Sequence, residues 1–184
     1  AAAPQDDGRE VAILRRLEAA SRVGRPLAVR FSDATIEPGV FGVRRPVLVW
    51  PRAMSARLSD DQIETILVHE LTHVRRRDNL TAVAHGVVQA VCWFHPLVWW
   101  IGTRLVDERE RACDEAVVAA GRDRQVYAES LLKTCQFCVG APVTCMAGVT
   151  GSDLKRRVTT IMTATPGARL GAVSRAMLAG VLAA

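Results

Sequence analysis

The stretch Val68-His69-Glu70-Leu71-Thr72-His73 decides how the rest of the chain is read. On a helix, residues four apart share a face, so His69 and His73 point the same way. Two neutral imidazoles at that spacing can hold one Zn²⁺ from one side. Glu70 cannot reach the same ion from that face. It stands beside it, where a carboxylate can take a proton from metal-bound water, the arrangement of zinc peptidases. The alternative is a surface helix that happens to carry two ordinary histidines.

The flanks favour a helix with a core-facing stripe. Ser59 can cap it while Gln62 reaches back, a capping box. Asp60 and Asp61 fall in the first turn and Arg75, Arg76 and Arg77 in the last, each sign suiting its end of the helix dipole. Ile63, Ile66 and Leu67 lead into His69, Glu70 and His73 on one stripe. The spacing predicts a helix from Asp60 to about Arg77.

The chain has 184 residues, enough for one domain with a real core. It opens Ala1-Ala2-Ala3 without Met and stops inside an apolar run, so it reads as a fragment of a longer protein. The formal charge is +5, and Lys133 and Lys155 are the only lysines among its 24 cations. Such a balance suits nucleic acid, anionic lipid or acidic partners. Without helix-turn-helix or zinc-finger spacing, direct nucleic-acid binding is not expected. Basic residues around a membrane-associated segment point to the cytoplasmic side. Five cysteines at irregular spacing do not make a disulfide framework, and reduced thiols in a cytosolic compartment fit better. Cys135 and Cys138 form a CxxC inside an apolar helical run and read as core or half-buried thiols rather than a metal or redox pair.

Residues 1–8 read as a linker. A helix over 9–22 carries Val11, Leu14 and Leu17, with Gly24 as its stop. Short β-prone runs at Leu27 to Phe31, Val40 to Val43 and Pro46 to Trp50 predict a sheet of two or three strands. The run from Val40 to Val49 is expected to supply an edge strand along a substrate cleft. Residues 79–103 contain no charged side chain but include Trp93, Trp99 and Trp100. That length could span a bilayer, yet a single crossing would strand any later ligand on the far side from His73. A hairpin broken at Phe94-His95-Pro96 is therefore preferred, packed in the domain or dipping into the interface, with Asn79 and Thr103 on one side of the membrane. His85 and His95 are ligands by residue type but read better as core or interfacial histidines.

A long helix follows, to Ala120, with Gly121 as its stop. Val106, Glu110, Cys113 and Val117 share a stripe, so Glu110 interrupts an apolar face. A carboxylate there is costly unless it is ion-paired or on a metal. Asp114, one turn on, could orient a ligand histidine from behind. Further helices are expected over 125–139 and 153–163, with a loop from Gly140 to Gly151 between them. From Leu170 the chain turns apolar, like the start of a membrane helix.

The places where a metzincin needs its glycine and third histidine hold Arg76 and Asn79, so that class is excluded. The third ligand must come from a later helix, a His₂Glu type of site. His69 to Asp78 (HELTHVRRRD) is similar to the signature of the BlaR/MecR-type antibiotic-sensor metallopeptidases. So are Trp93 to Trp99 (WFHPLVW), Glu108 to Asp114 (ERERACD), Tyr127 to Leu132 (YAESLL) and Leu154 to Val158 (LKRRV), in the same order. The resemblance covers most of residues 9–163. It implies an α+β, mostly α fold in which a small β-sheet packs on a gluzincin-like helical zinc-peptidase core with membrane-associated segments. The expected division is 1–8 linker, 9–165 zinc metallopeptidase domain and 168–184 the start of a transmembrane helix.

By position the resemblance implies His69, His73 and Glu110 as zinc ligands, Glu70 as catalytic base and Asp114 behind the ligands. It further implies a zinc metalloendopeptidase in the bacterial inner membrane, its zinc domain facing the cytoplasm. Such an enzyme cuts a cytosolic regulator, such as a transcriptional repressor, or itself, in signal transduction. Membrane lipid would be its other partner. Two alternatives remain open: a membrane quality-control peptidase, and a receptor scaffold that binds zinc without proteolysis.

Overall fold

The computed structural model describes residues 8–21, 25–139 and 151–163. Nearly all of the linker expected at 1–8, Gly24 as the expected helix stop, nearly all of the loop expected from Gly140 to Gly151, and the expected start of a transmembrane helix at 168–184 lie outside the described residues. The fold is α+β and mostly α. Its elements are α1 (Arg9–Ser21), β1 (Ala28–Ser32), β2 (Gly39–Phe41), β3 (Val47–Pro51), α2 (Arg52–Ser55), α3 (Asp60–Arg76), α4 (Asp78–Val91), α5 (Pro96–Ala119), α6 (Arg124–Val139) and α7 (Gly151–Thr163).

The motif helix α3 is the axis, with α1, α5 and α6 packed against it. Ser59 Oγ accepts from the Gln62 main-chain N–H, and Gln62 Oε1 accepts from the Ser59 N–H, so the expected capping box is in place. Ile63 and Leu67 are fully buried with Leu14 of α1 and with Leu48 and Trp50 of β3. Burying each such side chain contributes roughly 1.5–3 kcal/mol, which fixes the rotation of α3 and hence the direction of its histidines. The helix ends at Arg77, which takes a left-handed conformation (φ 58°) and donates its N–H to the His73 and Val74 carbonyls. Glycine usually fills that position. The turn sends the chain straight into α4, so that Asp78 comes back against His73.

The sheet runs β1-β3-β2, with β1 parallel and β2 antiparallel to the central β3. Of the run Val40 to Val49, then, only β2 is an edge; Val47 to Val49 belong to the middle strand, whose Leu48 and Trp50 are core. Residues 79–103 form the expected hairpin: α4 ends at Val91, and α5 starts at Pro96 and folds back on it. Among the described residues no helix is long and apolar enough to cross a membrane. On α5, Cys113 and Val117 are buried, but Val106 is exposed, so the apolar stripe begins after Glu110 rather than around it. Cys138 is core and Cys135 half-buried.

Candidate metal centre

His69 and His73 project from α3 into one cleft of about 430 Å³, bordered by Glu70, by Glu110 of α5 and by β2 with the loop before it. Their Nε2 atoms are 3.1 Å apart. Glu110 Oε2 lies 3.4 Å from the first and Oε1 3.8 Å from the second. Four ligands around a zinc ion at 2.0–2.1 Å sit about 3.3 Å from one another. The separations of the two ring nitrogens and the carboxylate oxygens, 3.1, 3.4 and 3.8 Å, bracket that length.

The far side of each ring is occupied. His73 Nδ1 lies 2.7 Å from Asp78 Oδ2. His69 Nδ1 lies 2.8 Å from the Tyr127 hydroxyl, which donates to Asp114 Oδ1 at 2.6 Å. Asp114 Oδ1 is also 3.3 Å from the same ring nitrogen. An Nδ1–H on each ring satisfies these acceptors and leaves two Nε2 lone pairs facing each other, an arrangement that calls for a cation or a proton between them. The electrostatics agree. Burial opposes charge on His69, yet the hydrogen bonds to Asp114 and Glu110 prevail and push its pKa up to about 9. For His73, burial and then the neighbouring His69 hold the value down. Burial also opposes ionised Glu110, but the His69 hydrogen bond and charge, then Arg157, keep it well below the usual carboxylate range.

Arg157 of α7 locks the acids in place. It donates twice to Asp114, at 2.9 and 2.7 Å, and approaches Glu110 Oε2 to 3.4 Å. Arg109 holds the other Glu110 oxygen at 3.2 Å. Burial works against Asp114 as an anion, and the His69 and Arg157 hydrogen bonds more than offset it, so its pKa is lowered.

A second set of donors, His69, His73 and Cys113, also brings ligand atoms within 4.8 Å of one another. It fits a metal less well. Cys113 Sγ is 3.3 Å from His73 Nδ1, the nitrogen already on Asp78, rather than on the Nε2 side. Burial, and then Asp78, raise the thiol far above its ordinary pKa, whereas a metal needs the thiolate.

Glu70 is buried beside the triangle. Burial raises its carboxyl to about 7, with His69 pulling down, Glu110 and Glu37 pushing up, and the Val40 main chain pulling down least. At neutral pH such a group passes easily between holding and releasing a proton. Glu37, also raised by burial, faces the same cleft. Asn79 donates to the Val40 and Gly42 carbonyls at 3.0 Å each, tying β2 to the start of α4. His85 and His95 lie in the α4–α5 hairpin, where His95 Nδ1 accepts the Leu97 N–H.

The structure thus gathers His69, Glu70, His73 and Glu110 around one cleft and sets Asp114 behind His69. Sequence reasoning assigned no part to Asp78, Tyr127, Arg157, Asn79 or Glu37. The first three lie inside the family-like blocks HELTHVRRRD, YAESLL and LKRRV, which is the signal that could have found them; Glu37 carried none.

A family model described as BlaR1 peptidase M56 matches residues 3–161. The regulatory protein BlaR1 of Bacillus licheniformis is 33% identical over 138 residues, 70% of this chain and 23% of that protein. The methicillin resistance mecR1 protein of Staphylococcus aureus is 29% identical over 109 residues, 58% of this chain and 19% of that one. The chain therefore spans only about a fifth to a quarter of these relatives. With the family model covering most of its length, the chain belongs to the BlaR1 peptidase M56 family.

Proposed function

We propose that the chain is a zinc-dependent endopeptidase unit of a membrane-bound signalling protein, cutting a cytosolic regulator or its own polypeptide. The observation that carries the reading is the meeting of His69 Nε2, His73 Nε2 and the Glu110 carboxylate, whose two oxygens lie 3.4 and 3.8 Å from the two nitrogens, with Glu70 in the same cleft. His69, His73 and Glu110 hold the ion. Asp114, through Tyr127, and Asp78 orient the two rings from behind. Bound zinc supplies a lowered water pKa and a polarised scissile carbonyl.

The rest is the work of the chain's own residues. Glu70 stores the proton released on attack and returns it to the departing amine, which its pKa near 7 favours. The cleft admits an extended peptide beside β2. Placement at the inner membrane, with this unit on the cytoplasmic face, fits the basic balance of the chain. A regulator as substrate fits the names of the relatives, a regulatory and a resistance protein.

The test compares cleavage products by proteomics between the intact protein and Glu70→Gln. We expect the variant to keep its fold and its zinc and to lose cleavage, because an amide is no base. Normal cleavage by purified Glu70→Gln would refute the mechanism. Absence of any cleavage product with the intact protein would favour a non-proteolytic zinc scaffold.

A further inference from the structure

We propose that the α4–α5 hairpin is a lipid-seating device: its tip, residues 92–101, sits in the headgroup-to-acyl boundary of one leaflet of an anionic membrane. The inference does not depend on whether Glu70 cleaves peptides.

The hairpin is inside-out for water. Its least exposed members include Asn79, His85, Gln89 and the buried Gly102, while valines and tryptophans face outward. A Cβ on Gly102 would lie 2.7 Å from His85 Nε2 and 3.1 Å from Gln89 Nε2, so these polar groups fill the seam between the helices. On α4, Leu80, Val83, Val87 and Val91 form one exposed stripe. At the tip, Trp93 and Phe94 are 67% and 70% exposed, and Trp99 and Trp100 more than half. Aromatic rings with an N–H suit the membrane interface.

The turn also meets part of the demand that lipid makes on main-chain polar groups. The Cys92 N–H donates to Val88, the His95 N–H to Cys92 and the Val98 N–H to His95. The Trp93 carbonyl accepts from the Trp99 indole at 2.8 Å, and Pro96 has no N–H to satisfy.

Length and charge specify the occupant. At about 1.5 Å per residue, the 14 residues of α4 reach about 20 Å, short of a hydrocarbon core about 30 Å thick. The hairpin can enter one leaflet and return on the same side, which keeps Glu110 beside His69. Arginines stand at both ends of the uncharged stretch: Arg75, Arg76 and Arg77 before it, and Arg104, stacked 5.4 Å over the Trp100 ring, after it. That collar complements anionic headgroups.

The experiment mixes the purified chain with vesicles of equal parts phosphatidylcholine and phosphatidylglycerol and follows tryptophan emission. Three of the four tryptophans are at the tip, and Trp50 is already buried. We expect a blue shift, and quenching by lipid brominated on its acyl chains. Trp99→Ser with Trp100→Ser should weaken partitioning on the order of tenfold or more, with zinc content unchanged. Arg104→Gln should weaken it about fivefold, as should pure phosphatidylcholine or more. Flotation with the vesicles but unshifted, unquenched emission would overturn the proposal, because residues 164–184 would then be the anchor. A blue shift that appears without lipid and grows with protein concentration would overturn it in favour of a second copy.

Discussion

At the scale of single residues, the site separates groups that face the cleft from groups that hold them. Glu110 is the nearest carboxylate to both Nε2 atoms, whereas Asp114 reaches only the far side of His69. Under the proposed ligand set, Glu110→Ala loses most bound zinc. Asp114→Asn weakens binding by about 10–100-fold. Metal analysis of the two purified variants decides, and full retention in Glu110→Ala with loss in Asp114→Asn would reverse the assignment. Much of this was legible in the sequence. The i,i+4 histidines declare themselves because a helix turns at a fixed rate, and a carboxylate on the partly apolar α5 draws notice because its burial needs an excuse. Tyr127 and Arg157 were not legible as parts of the site. Tyr127 is 58 residues from His69, and Arg157 is 43 from Asp114; no local rule connects them.

At the scale of elements, sequence periodicity located the helices, while the order of the strands escaped it. Val40 to Val49 reads as one β-prone run, but the chain turns within it and pairs its halves, so β3 becomes the middle strand and only β2 borders the cleft. The end of α3 falls where the basic last turn put it, although an arginine there occupies a backbone conformation that glycine normally takes. The Val40 carbonyl of β2 is already engaged by Asn79. A peptide adding as a further strand has to compete with it. Asn79→Ala is therefore expected to lower KM for extended peptides and to cost about 1–2 kcal/mol of stability, read by steady-state kinetics and urea melts. A rise in KM would show instead that Asn79 holds the strand in its binding shape.

At the scale of the whole molecule, the candidate centre is a cross-link. It joins α3 to α5 directly, and through Tyr127 and Arg157 it takes in α6 and α7. An ion held there stabilises only the folded chain, by about 4 kcal/mol at a thousandfold excess over its dissociation constant. Chelation is accordingly expected to lower the thermal midpoint on the order of 10 °C. Differential scanning fluorimetry checks this, and Glu110→Ala should start low and barely respond. Arg157, described above as the clamp on Asp114, also sets a clock. Forty-three residues separate the two, and at about 5–20 residues per second the ribosome needs roughly 2–9 s to make them. For those seconds a nascent chain already owns its HExxH helix while Asp114 has no clamp. The clamp on Asp114 thus arrives with α7, long after the motif itself has been translated.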